Sequence, residues 1–114
     1  MKKILLFLFM ALFLLSSCSQ DSNNESIQDI PQNTVIMQDF AFSPAELEVP
    51  VNTKITWIQK DSAPHDVTAN NNEFKSPILN KNEEFSYTFT KAGEYDYYCK
   101  IHTVMKGKII VKNV

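Results

Sequence analysis

From Asn33 to the C terminus the chain alternates apolar and polar residues with a period of two, and no stretch carries a helical repeat. Ala45, Leu47, Val49 and Val51 alternate with Glu46 and Glu48 until Pro50 interrupts. Ile55 and Trp57 share one face of Thr53 to Gln59, and Phe85, Tyr87 and Phe89 alternate with Ser86, Thr88 and Thr90. Tyr95, Tyr97 and Cys99 lie along one side of the next segment, and Lys108 to Lys112 closes the chain as a β-rich edge. Such alternation predicts strands with one face buried and the other wet. Asn52, Asp61-Ser62, Asn70-Asn71-Asn72, Asn80 to Asn82 and Ala92-Gly93 fall between them as turns. A length of 114 residues allows one domain. About seven to eight short strands in about 80 residues predict an all-β fold over 33–114, a Greek-key β-sandwich or barrel. Ser43-Pro44-Ala45-Glu46 has the form of a helix capping box, but the alternation that follows it argues against a helix.

The first residues read differently. Lys2 and Lys3 precede an unbroken apolar run of 12 residues from Ile4 to Leu15, and small residues follow. That is the layout of an export signal over residues 1–17, and a membrane-spanning helix needs roughly 20 apolar residues. Leu15-Ser16-Ser17-Cys18 resembles the lipobox of bacterial lipoproteins. The resemblance implies cleavage before Cys18, a diacylglycerol on its sulfur, and a lipid-anchored protein on the extracytoplasmic side of a bacterial membrane. Residues 18–32 are rich in Ser, Asn, Gln and Asp and lack aromatic residues, so they read as a flexible tether after the lipidated cysteine. Its reach is on the order of 20 Å.

Charge excludes one class of partner. The chain has 11 lysines, no arginine and 13 acidic residues; loss of Lys2 and Lys3 leaves 9 − 13 = −4. No basic stripe of the kind that neutralises phosphates is present, so no nucleic acid is expected.

Cysteines and histidines are scarce: Cys18, Cys99, His65 and His102. With Cys18 lipidated, Cys99 is a lone thiol in an oxidising compartment, a place where metal ligation explains an unpaired cysteine. Cys99, His102 and Met105 recur at intervals of three where a buried strand runs out into a loop. A loop can fold such residues around one point, and a strand cannot. His65 follows Pro64 and, if His65 to Ala69 is a strand, points inward with Val67 and Ala69, away from Asp66 and Thr68. Taken singly, Met105 is more often core filler than a ligand, His65 more often a hydrogen-bonded structural histidine, and Cys99 behaves as a small buried hydrophobe. Together, two imidazoles, a thiolate and a thioether suit copper in both oxidation states, with a His-His-Cys plane and a weak axial Met. Zinc also takes His and Cys but rarely Met.

Tyr95 to Gly107, with Cys99, His102 and Met105, resembles the C-terminal copper loop of the cupredoxins, in the short spacing of the amicyanin type rather than the longer plastocyanin type. Ala63-Pro64-His65-Asp66-Val67 resembles that family's first-ligand segment, and the similarity runs from about Thr34 to Val111. It implies a cupredoxin β-sandwich and one type 1 copper held by His65, Cys99, His102 and Met105. It also implies a tyrosine corner near Tyr95. By the same analogy an apolar patch of Pro64, Ile101, His102, Thr103 and Val104 is where redox partner proteins dock. Three departures stand out. Ile101 and Thr103 replace the prolines usual on either side of the loop histidine, which loosens the loop. Asp66 replaces the usual Asn, and it can still accept a backbone hydrogen bond near Lys100. Lys100 itself replaces a small hydroxyl residue.

The function expected is single-electron carriage between partner proteins by a monomeric, membrane-tethered copper protein. The competing expectation is copper storage, sensing or delivery, and a metal-free interaction module on the same fold is a third. No enzyme is expected, because four protein ligands leave no open position for substrate. Tyr97, Tyr98, Phe85, Tyr87, Phe89 and Trp57 read as packing, and Lys100, Lys106 and Lys108 as a basic rim or simply solvated side chains.

Overall fold

A computed structural model of the protein describes residues 31–114. The export signal expected over 1–17, the lipidation expected at Cys18 and nearly all of the tether expected over 18–32 fall outside these residues. Eight strands form: β1 (Thr34–Gln38), β2 (Ala41–Ser43), β3 (Glu46–Pro50), β4 (Thr53–Gln59), β5 (Thr68–Ala69), β6 (Glu84–Phe89), β7 (Gly93–Tyr98) and β8 (Lys106–Lys112). They build two four-stranded sheets, ordered β2-β1-β4-β6 and β3-β8-β7-β5. The β1–β4 and β3–β8 pairs are parallel, and the remaining pairs are antiparallel. No helix occurs among the described residues.

The period-two reading explains the core. Ile55, Trp57 and Gln59 of β4 are buried, while Glu84, Ser86 and Thr88 of β6 face water. Trp57 sits against Phe74, Phe85, Phe89 and Tyr97 with ring centroids 5.5 to 6.4 Å apart. Val35 and Met37 complete one inner face, and Val49, Ile109 and Val111 the other. Burying a side chain of this size contributes about 1.5 to 3 kcal/mol, so a dozen of them is what holds so short a chain together. The Tyr95 hydroxyl donates to the Lys91 carbonyl at 2.6 Å, the expected tyrosine corner. At the turns, Asn52, Asn72 and Asn82 take φ of 71°, 64° and 72°, a conformation asparagine tolerates because its side chain bonds its own backbone.

Two expectations are corrected. The closing segment is no edge: β8 begins at Lys106 and lies between β3 and β7. Its inward Ile109 and Val111 are buried, and both its backbone edges are paired. Nor is His65 to Ala69 a strand with a wet face. Only Thr68 and Ala69 pair with β7, and Asp66 and Thr68 are buried along with His65, Val67 and Ala69. The segment 75–79 covers the second face, through bridges of His65 to Leu79 and Thr68 to Lys75. The Ser76 hydroxyl accepts the Val67 N–H there, at 2.8 Å.

Candidate metal centre

The end of the sandwich where β7 runs into β8 gathers the candidate ligands. His65 is fixed by two backbone bonds to Leu79, its N–H donating at 3.1 Å and its carbonyl accepting at 2.7 Å. Cys99 follows β7 and donates its N–H to the Met105 carbonyl at 3.1 Å, while the Met105 N–H donates to the His102 carbonyl at 2.9 Å. These two bonds close the loop, so Met105 is carried to the base of β8 beside Cys99, fully buried. His102, between them, is half-buried.

Three donor atoms converge. His65 Nδ1 lies 3.1 Å from His102 Nδ1 and 3.8 Å from Cys99 Sγ, and the ligand atoms of all three residues lie within 4.8 Å of one another. Two nitrogens sharing an ion at about 2.0–2.1 Å can be at most about 4.2 Å apart, and a nitrogen and a thiolate sulfur at most about 4.4 Å. Both measured separations satisfy that limit. The set can hold a metal ion.

The surroundings prepare each donor. His65 Nε2 bonds Asp61 Oδ2 at 2.7 Å; with the ring proton assigned to that bond, Nδ1 presents its lone pair to the centre. The Cys99 sulfur accepts the N–H groups of Asp66 (3.5 Å) and His102 (3.4 Å), which fix its position between the two ligand segments. Asp66 Oδ1 accepts the Lys100 N–H at 2.6 Å, the tie between the two ligand segments expected of it. Burial alone would raise the Asp61 pKa; the N–H groups of Phe40 and Asp39 and the His65 ring outweigh it and hold the carboxyl below its usual value.

Two residues near the centre were not legible in the sequence. Asp61 reads there as part of a turn, and only its place four residues before His65 hints at a supporting carboxylate. Phe40, from the β1–β2 turn, packs edge-on against both histidine rings, and no local signal announces it. Phe40, packed on the His102 ring, and Ile101 and Val104 of the same loop are large apolar side chains left exposed; Pro64 and Thr103 are exposed as well, as is Ile78. Ile78 adjoins Leu79, the backbone partner of His65. Of the expected basic rim, Lys100 and Lys106 are exposed, whereas Lys108 pairs with Glu94 (3.6 Å) and Asp96 (3.9 Å).

Residues 5–111 match the family described as the cupredoxin-like domain. Amicyanin of Paracoccus denitrificans is 39% identical over 72 residues, which cover 59% of this chain and 55% of that protein; the matched part therefore spans little more than half of this relative. Amicyanin-alpha of Methylorubrum extorquens is 28% identical over 95 residues, covering 77% of this chain and 80% of the relative. The solved Cu(I) form of an amicyanin variant superposes with a TM-score of 0.65 at 37% identity, over 69% of this chain and 80% of that one.

Proposed function

The chain belongs to the cupredoxin-like family, and on that premise we propose that it is an extracytoplasmic electron carrier with one copper held by His65, Cys99, His102 and Met105. The observation that carries this reading is the convergence of two imidazole nitrogens and a thiol sulfur within 4.8 Å. When bound, copper supplies a one-electron couple between its two common oxidation states.

The chain's own residues do the rest. Asp61 holds the His65 ring in one tautomer. Two N–H groups spread the charge on the Cys99 sulfur. Met105, buried beside Cys99, would hold the ion from the buried side as a fourth ligand, sequestered from water. Half-buried His102 reaches the exposed apolar side chains of its loop, so its edge would be the path for electrons once copper is bound, and partner proteins would dock on Pro64, Ile101, Thr103 and Val104 and on Phe40 and Ile78. The protein acts as a monomer and catalyses no reaction on a bound substrate. Residues 1–17 are an export signal, and Cys18 carries the lipid that holds the tether (18–32) and the copper domain (33–114) to the membrane.

Cu²⁺ added to the purified apo-protein tests the site. An intense visible charge-transfer band and a copper paramagnetic spectrum with small hyperfine splitting are expected, and a colourless product refutes the reading. The anchor has its own test: Cys18→Ser should move the protein from the membrane fraction to the soluble one, and unchanged membrane association refutes the lipid.

A further inference from the structure

Asp39 and Phe40 form the two-residue loop between β1 and β2, and both have left-handed backbones, with φ of 55° and 57°. Hairpin loops of this kind favour Asn-Gly, because a bulky side chain crowds its own backbone there. An aromatic residue at positive φ is an outlier, and such strain persists only where the surroundings impose it. Asp61 imposes it. Its Oδ1 accepts the Asp39 N–H at 2.8 Å, and its Oδ2 accepts the Phe40 N–H at 2.9 Å while also bonding His65 Nε2.

The strained turn places the Phe40 ring across the candidate metal centre. It stands edge-on to His65 (centroids 5.3 Å, 79°) and to His102 (5.0 Å, 87°), while the two imidazoles are 5.0 Å apart. His65 is locked by Leu79 and Asp61 and needs no further support. His102 does. It sits in a loop where Ile101 and Thr103 supply no proline stiffness, and neither of their N–H groups is hydrogen-bonded among the described residues. Its ring is flanked by the His65 imidazole on one side and the Phe40 ring on another.

We propose that Phe40, clamped by Asp61, is a positioning residue that braces the His102 ring in its ligating rotamer and replaces the rigidity that flanking prolines would give the loop. The proposal rests on the copper-site reading for its purpose, but the brace belongs to the empty protein too. Low reorganisation on electron transfer follows, because the more exposed of the two imidazoles is prevented from turning.

The test is made first on the full-length apo-protein, by measuring His102 side-chain couplings in solution NMR. Wild type should show one χ1 rotamer, Phe40→Ala should show averaging among rotamers, and Phe40→Tyr should behave as wild type. Asp61→Asn should also show averaging, because an amide cannot accept from all three donors. Adding Thr103→Pro to Phe40→Ala should restore the single rotamer. Thr103 is the second residue of the turn closed by the His102–Met105 bond, a position that suits proline. In the copper-loaded protein, Phe40→Ala should release the ion to a chelator about tenfold faster, the size expected of lost aromatic pairing. Should Phe40→Ala not fold, Phe40→Leu takes its place in both measurements. A single unaveraged His102 rotamer in the truncated variant overturns the brace, and so does averaging in Phe40→Tyr. If wild type fails to form a coloured copper site, the functional reading falls, and the apo rotamer still decides the brace.

Discussion

Gly107→Ala should destabilise the domain far more than a single methyl suggests. Gly107 lies directly opposite Tyr97 in the β7–β8 pair, and the Tyr97 ring folds over it. A Cβ there would stand 2.7 Å from Tyr97 Cε2 and closer still to Cζ and the hydroxyl. The ring cannot yield easily, because it is 1% exposed and packed against Phe42 (4.7 Å) and Trp57 (5.5 Å). Overpacking of an enclosed site costs about 1 to 3 kcal/mol, and enclosure by aromatic rings points to the upper end. Alanine also restricts the unfolded chain, which returns up to about 1 kcal/mol. The net loss is about 2 kcal/mol, a fall in Tm of about 8 to 16 °C for a domain of this size. Unfolding of the apo-protein followed by the fluorescence of its single tryptophan, Trp57, measures it. Tyr97→Leu in the same chain should make the two losses less than additive by about 1 kcal/mol, since the substitutions share one contact. A Tm within about 2 °C of wild type for Gly107→Ala would refute the reasoning. The consequence is functional as well as structural, for β7 delivers Cys99 and β8 begins just after Met105.

Cys99→Ser should abolish the visible band and leave the apo fold intact, checked by circular dichroism. Asp66→Asn keeps an oxygen to accept the Lys100 N–H but removes a carboxylate beside the centre, so protein-film voltammetry should show the reduction potential rise by tens of millivolts; a fall would contradict the electrostatic argument. Tyr95→Phe removes the hydrogen bond to Lys91 and should cost about 1 kcal/mol at neutral pH by urea unfolding. The Tyr95 hydroxyl has its pKa raised above 10.0 by burial and by the charges of Glu73 and Tyr87. A raised pKa stabilises the fold below the unfolded value and loses that contribution as pH climbs beyond it. Wild type should therefore lose stability above pH 10 more steeply than Tyr95→Phe, and parallel curves would contradict this.

The candidate ligand loop is legible in the sequence alone. Cys99, His102 and Met105 are separated by so few residues that the end of one strand and the start of the next bring them together. Chain connectivity alone limits where they can go. The strands were legible for a related reason: a strand's alternation is local, and Phe85, Tyr87 and Phe89 show it wherever the sheet lies. Strand order carries no such local trace. Lys108 to Lys112 reads as a closing edge, yet it is a strand paired on both sides, and its terminal lysines reach solvent because long charged stems can leave an interior strand. Asp66 and Thr68 read as wet because nothing nearby in the chain indicates that residues 75–79 return to cover them.

What the residues determine unaided is the donor chemistry and the alternating pattern, since both depend on side-chain type and short-range spacing. What only the folded chain decides is which distant groups arrive at the centre. Asp61 and Phe40 meet the two imidazoles because the β1–β2 turn and the end of β4 share one sheet, with β1 and β4 paired in parallel, and so finish at the same end of the sandwich. Long-range pairing created that meeting, and no period or motif along the chain encodes it.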